Sequence, residues 1–400
     1  MKKKFFLFVI IHLAVSTGFL FAQDLSGVLD SSINYTAGAG DAQPHSFGLE
    51  QFANLRLRIM AGEKATLISA FNLIAISGNY AETAGLMGSV DQNSSAPFVY
   101  GENYAAAIEL ERLYVRINGN LFDTEAGLLR MAFGYSQIWG PSDFLNPRNP
   151  LSHNARHRGV LGVNFSFYPA DSAELMLFAA GPKDPSSADG SGFIIPGFSL
   201  DQHWRRASIQ TLYAYETPRR YDKAVSPVDP PFAETEWGKH RFGFSLKADL
   251  ELGFTVDLLY TLVPGKIDDI EGLSASAGFD YSFLDGDLYI QFEYLYNGSS
   301  SATAFGGGGF FTNHHYLYGA IMYRFNIYSS LVFSTVFCFD DLSFQPMVRF
   351  DYELFQGFSL NLTASIPLDQ NSIAGNEAGE LGPERSNARA IVTAGARLRF

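Results

Sequence analysis

Long stretches of this chain alternate between apolar and polar side chains. Phe358, Leu360, Leu362, Ala364 and Ile366 alternate with Ser359, Asn361, Thr363 and Ser365. Phe344, Val348, Phe350, Tyr352 and Leu354 alternate with Gln345, Arg349, Asp351 and Glu353. Leu273 to Ser282 and Phe242 to Leu250 repeat the pattern. A period of two marks extended strands, whose successive side chains point to opposite faces. One such strand fits a soluble sheet with one face on a core. Repeated along the whole chain, it fits a closed barrel with lipid outside and water inside.

The connections support hairpins. Short ones include Gly62-Glu63-Lys64, Asn118-Gly119-Asn120, Asp285-Gly286-Asp287 and Gln356-Gly357, rich in residues that tolerate the positive φ of tight turns. Between them lie longer stretches, at 77–102, 135–158, 182–203, 217–239, 298–313 and 368–388. Short turns at one end and long loops at the other are expected of a transmembrane barrel. Seventeen strand segments can be marked, among them 121–134, 159–168, 173–181 and 205–216. A barrel with both termini at one end needs an even number. Either Gly192–Leu200 supplies a missing strand or one segment is not in the wall. The expectation is an all-β, transmembrane, antiparallel up-and-down β-barrel of 16 or 18 strands, wide enough to hold water.

The last twelve residues carry the pattern to the terminus. Ala390, Val392, Ala394, Ala396, Leu398 and Phe400 share one wholly apolar face, and Arg397 and Arg399 lie on the other. This segment resembles the closing strand of bacterial outer-membrane β-barrels. The resemblance implies that Phe400 is the sorting signal read by the barrel-assembly machinery.

Composition agrees. Of the 400 residues, 17% are charged, below the ~25% of a soluble domain. Aromatic residues reach 15%, with 36 Phe and 20 Tyr, as an apolar band with aromatic girdles requires. No stretch beyond the N-terminus is long and apolar enough for a membrane helix, so only a closed barrel would satisfy a membrane-spanning backbone. Residues 1–22 read as a secretory signal peptide: Lys2, Lys3 and Lys4, an apolar run from Phe5 to Val15, and small Ala22 at the cut. Residues 23–400 then form a single barrel domain. The net charge of −13, more negative still without that leader, argues against nucleic acid as a partner. The lone cysteine, Cys338, cannot form an internal disulfide.

The most distinctive stretch runs from Arg130 to Pro150. An Arg-bearing strand enters a loop with Trp139-Gly140-Pro141, Asp143 and Asn146-Pro147. This resembles a Trp-Gly-x-x-Asp-x-x-Asn-Pro phrase of porin-like families of Gram-negative barrels. The resemblance favours a channel over an enzymatic barrel and names no substrate. Either the loop folds into the lumen as a constriction, or it is a compact surface loop held by Trp139.

Charges in the inward phase are Arg56, Arg58, Arg112, Arg116 and Arg130 in the first half. Lys247, Asp249, Asp257, Asp280, Glu293, Arg349, Asp351 and Glu353 follow. With Asp143, the arginines and the later charges from Asp280 on are pore-lining candidates. A basic arc facing an acidic arc would set a transverse field on passing solutes; alternatively, these groups pair across strands. Metal and catalytic signals are weak. His153 and His157 have the spacing of a helical metal pair but no glutamate between them, and Ser152-His153 and Asp201 with His203 lack a nucleophile motif. The reading is therefore a cell outer-membrane, porin-like channel for passive diffusion of small hydrophilic solutes, with no enzymatic activity, metal or cofactor. Its expected partners are outer-membrane lipid, the assembly machinery and the solutes, and self-association into a homo-oligomer is compatible with it. The rival is a surface-exposed binding or adhesion protein using the barrel as a scaffold.

Overall fold

The computed structural model describes residues 24–38, 45–79, 99–101, 103–146, 159–181, 194–217, 238–264, 272–298, 311–369, 379–382 and 388–400. The expected signal peptide lies outside them, as do Arg148, His153, Arg156, His157 and Arg158.

Twenty strands form one antiparallel sheet. The first ten are β1 (Asp24–Ala37), β2 (Ser46–Ala61), β3 (Ala65–Gly78), β4 (Val99–Gly101), β5 (Tyr104–Asn118), β6 (Phe122–Leu129), β7 (Val160–Ala170), β8 (Ala173–Ala180), β9 (Ile195–His203) and β10 (Ala207–Glu216). Then follow β11 (Lys239–Asp249), β12 (Gly253–Leu262), β13 (Leu273–Phe283), β14 (Leu288–Asn297) and β15 (His315–Asn326). The last are β16 (Ser329–Cys338), β17 (Ser343–Phe355), β18 (Phe358–Ser365), β19 (Leu368–Asp369) and β20 (Ala390–Arg399). Short β4 and β19 pair only with one end of β5 and of β17, respectively. The other eighteen pair in chain order, and β20 closes on β1 from Arg399 opposite Val28 to Ala390 opposite Ala37. The wall is a closed 18-stranded antiparallel barrel, so no edge is left unpaired.

The eighteenth strand is β9, close to the 192–200 stretch that was one of the two ways to an even count, so the expected loop at 182–203 is shorter. Pro196 and Gly197 obscure it, since proline removes a ladder donor and glycine a side chain. The connection between β16 and β17 departs from the long-loop rule, with only four residues from Phe339 to Leu342.

The barrel is inside out relative to a soluble protein. Leu25, Leu29, Ile33, Phe350, Leu360 and Leu362 are exposed on the outer face. Asp30, Ser32, Asn34, Asn361 and Thr363 are buried in the interior. Phe400 points outward as its phase requires. Its backbone exchanges hydrogen bonds with Gly27 at 2.8 and 3.1 Å. Gly27 is needed there: an added Cβ would stand 2.8 Å from the Phe400 ring and 2.6 Å from the Asn54 carbonyl oxygen. The terminal aromatic thus covers a glycine at the seam between first and last strands.

Candidate functional site: the lumen and its inward loop

Strand β6 was expected to run to residue 134, but it ends at Leu129. From Arg130 the chain leaves the wall and enters the barrel, so Arg130 is a loop residue rather than a strand residue. The described part of the loop, 130–146, runs along the inner wall to β14, turns at Gly140-Pro141 and returns. On return, the Ser142 hydroxyl donates to the Leu258 carbonyl at 3.3 Å, and the Met131 amide donates to Asn146 Oδ1 at 3.0 Å.

Two buried carboxylates hold this loop. Asp257 on β12 accepts the Tyr135 and Ser136 amides at 3.0 and 2.9 Å. Glu293 on β14 accepts the Gln137, Ile138 and Trp139 amides at 3.1, 3.1 and 2.8 Å. The indole of Trp139 donates to the Glu293 backbone carbonyl at 2.9 Å. Each carboxylate, 0% and 1% exposed, replaces water with fixed N–H donors. The Gly134 amide donates to Gln210 at 2.6 Å, and Gln210 and the Tyr135 hydroxyl both donate to Asp201 at 2.7 Å. Gly134 has φ +84, and a Cβ there would lie 2.4 Å from the Asp257 carboxylate. Only glycine lets the backbone reach that anchor.

The inner wall is apolar where the loop lies on it. Loop residues Met131, Phe133 and Leu145 are buried against inward Phe178, Ile195 and Leu212. Phe133 packs 5.0 Å from Phe178. Phe178 in turn fills the space over Gly197, where a Cβ would meet its ring at 2.4 Å. Nearer the long-loop end, Trp139 packs with Phe311 and Tyr316 at 5.2 and 5.8 Å. Strands such as Ala173–Ala180, apolar on both faces from Leu175 onward, carried this signal in the sequence. Their lost alternation meant an inner face covered by protein instead of water.

Asp143 is buried and lies 3.8 Å from Arg130, which ties the two ends of the phrase together. Across the return strand of the loop, Arg241 bonds Glu216 at 2.7 Å and sits 4.7 Å over the Phe144 ring. Of the acidic pore candidates, Glu293 is therefore beneath the loop, not on the solvent side of the lumen. Asp280 faces inward and lies 3.4 Å from Gln137 of the loop. Glu353 accepts the Gly357 amide at 3.3 Å, and Arg349 grips Asp351 with two hydrogen bonds of 2.7 Å.

The opposite side, around β2, β3 and β5, carries Arg56, Arg58, Arg112 and Arg116 beside buried Glu50, Glu109 and Glu111. Arg56 and Arg58 are exposed inside the barrel. Arg56 donates only its Nε to Asn54, at 2.8 Å. Arg116 reaches Glu125 at 2.5 Å, and Arg112 lies 3.5 Å from Glu111. Glu109 and Glu111 are inward residues that strict alternation from Arg112 and Arg116 would assign to the lipid face. A bulge resolves the conflict: Ala70 opposes Arg112 while Phe71 opposes Leu110, so Glu111 is the extra residue. Two carboxylates out of phase with two arginines in Glu-Leu-Glu-Arg-Leu-Tyr-Val-Arg were the available clue.

Three ligand-type side chains, Cys338, Asp341 and Glu380, come within 4.8 Å of one another at the long-loop end. Their acceptor atoms are already taken. The Asn313 amide donates to both the Cys338 sulfur and Asp341, at 3.2 and 2.9 Å. Ser343 and the Glu380 amide also donate to Asp341. Thr312, Asn313 and Tyr316 donate to Glu380. An N–H donor occupies the centre where a cation would sit, so the cluster is a knot joining two loops to β15–β17.

No protein-family model and no curated protein matches the chain. Among solved structures it is similar to OccAB3 of Acinetobacter baumannii, with 12% identity over 94% of this chain and 99% of that one, TM-score 0.54. It is also similar to OccAB4 of the same organism, with 11% identity over 94% and 97%, TM-score 0.52. A mutant of Rh. blastica porin overlays at 11% identity over 94% and 99%, TM-score 0.47. At such identities the likeness to the two Acinetobacter proteins speaks for the fold alone, a closed antiparallel β-barrel.

Proposed function

We propose that this chain is an outer-membrane, porin-like channel for passive diffusion of small hydrophilic solutes. The observation that carries this reading is the asymmetric lumen. A structured loop is bonded to one inner side, while ionised groups on the other side, led by Arg56 and Arg58, are left in contact with water inside an apolar-coated barrel. Charges that stay hydrated inside the wall are free to act on solutes that pass at short range. The loop narrows the passage, and Asp257 and Glu293 act as its anchors. Among the described residues, Asp201 is engaged by Tyr135 and Gln210, and His203 contacts Ser208.

Planar-bilayer recording of the purified, refolded protein tests this. Discrete conductance steps are expected. A correctly folded barrel that passes no current would overturn the channel reading and favour a scaffold for surface binding.

A further inference from the structure

The turns at the end of the barrel where both termini lie are unlike one another. Five in succession, from β9–β10 to β17–β18, each present a large apolar side chain: Trp204, Leu250, Leu284, Ile327 and Phe355. Each of these is more than half exposed, and Ile327 reaches 78%. On the remaining arc the β2–β3 turn is Gly62-Glu63-Lys64 and the β7–β8 turn holds Asp171-Ser172; between them, Leu121 of the β5–β6 turn is the one large apolar tip.

The apolar tips continue the outward rows of the wall. Phe242, Phe244, Leu246 and Ala248 lead in steps of two to Leu250, and Leu252 leads on to Phe254. Ile321, Tyr323 and Phe325 lead likewise to Ile327. Beside the tips, rings pair: Tyr281 with Phe283 at 4.4 Å, Tyr323 with Phe325 at 5.0 Å, and Phe355 with Phe358 at 5.0 Å. Strand length sets the level. Strands β12, β14 and β16 have 10 residues each. At ~3.3 Å per residue and a tilt of ~40°, such a strand rises about 25 Å, the height of a barrel's apolar band. No surplus is left to carry these turns into water.

One turn holds its apolar tip against the preference of its backbone. Leu284 and Asp285 have φ of +52 and +55, a conformation that tight turns give to glycine or asparagine. A leucine gains nothing from that geometry, and at 64% exposure it gains little from burial within the protein. Its natural contact lies outside the chain. The tips are also edged by charge: Arg205 and Arg206 follow Trp204, Asp285 follows Leu284, and Glu251 stands between Leu250 and Leu252. Apolar side chains in the outward phase with charge beside them fit the level where acyl chains meet headgroups.

We propose that this arc is a membrane-seating surface whose partner is the lipid leaflet at the short-turn end. Its apolar tips insert among the headgroups, while Glu63-Lys64 and Asp171-Ser172 stand in water. The barrel therefore sits unevenly, sunk on the β10–β18 side. The inference rests on the outer-membrane reading and adds to it which turns the bilayer covers.

The test places nitroxide labels at I327C, L284C and E63C, with L362C on the wall as reference, in a C338S background of the full-length protein. Each is refolded into phosphatidylethanolamine/phosphatidylglycerol vesicles. Relaxation by oxygen, which concentrates among acyl chains, is compared with relaxation by a water-soluble nickel chelate. Labels at 284, 327 and 362 should favour oxygen severalfold, and the label at 63 should favour the chelate. If 362 favours oxygen while 284 and 327 match 63, the seat is overturned and the tips are left free for a soluble partner. A label at 63 as lipid-exposed as 327 overturns the uneven seating. A chelate-accessible 362 overturns the membrane reading instead. Trp204 tests the seat without labels: quenching of tryptophan emission by lipid brominated near the headgroup should fall in W204F, and an unchanged quenched fraction overturns it.

Discussion

The two sides of the lumen hold charge in opposite ways. On the β12–β14 side, Asp257 and Glu293 are buried and saturated with backbone N–H donors. On the β2–β5 side, Arg56 and Arg58 are exposed, with donors to spare. The simplest electrostatic picture, an acidic arc facing a basic arc across water, is therefore only half realised. The acids hold the loop, and the bases face the passage. Inward phase alone does not distinguish an anchor from a selector; what differs is whether another part of the chain supplies the partners.

The comparison breaks most sharply at Glu293. E293A leaves three loop amides without an acceptor, each costing about 1 kcal/mol or more, so loop docking should weaken by roughly 3 kcal/mol. Limited proteolysis should then cut within 135–141, and single-channel conductance should rise. Unchanged protection and conductance would mean that the apolar seat alone holds the loop. Next comes G134A. Its positive φ and the nearby Asp257 carboxylate make a Cβ cost about 1–3 kcal/mol. The expected signature is a smaller conductance change of the same sign, with unaltered heat resistance of the barrel.

On the β2–β5 side, R58A should leave unfolding within about 0.5 kcal/mol of the parent, because no ion pair is lost. It should shift the reversal potential all the same, and more at low salt than at 1 M, where the Debye length is only ~3 Å. A large stability loss would show that Arg58 is structural. The smallest effect belongs to the loop knot. Burial pushes the Asp341 carboxyl up, but hydrogen bonds from the Glu380 amide and from Ser343 outweigh it and hold the group below the ordinary carboxylate range. Its contribution is therefore complete above the unfolded value of about 3.9 and is lost as pH falls through the lower folded value. Hydrogen exchange at the Glu380 amide should be slow at pH 6 once corrected for intrinsic rate, and should lose protection below about pH 4.

The alternation of side chains was legible from the chain alone, and with it the strands, the hairpins, the outward face of Phe400 and the barrel. Period two is a local property: each strand states which face meets lipid without reference to any other. Parity showed that the count of seventeen was off by at least one; that the missing strand is the one Pro196 and Gly197 hid was decided by the structure. What only the tertiary structure decided is which inward groups meet water. The bond from Trp139 to Glu293 spans 154 residues, and no local pattern encodes a partner so distant. Inward Glu293 and inward Arg58 look alike in sequence, because both satisfy the same alternation. Their difference arises when the loop, forced off the wall after Leu129, brings N–H donors to one and leaves the other to the solvent.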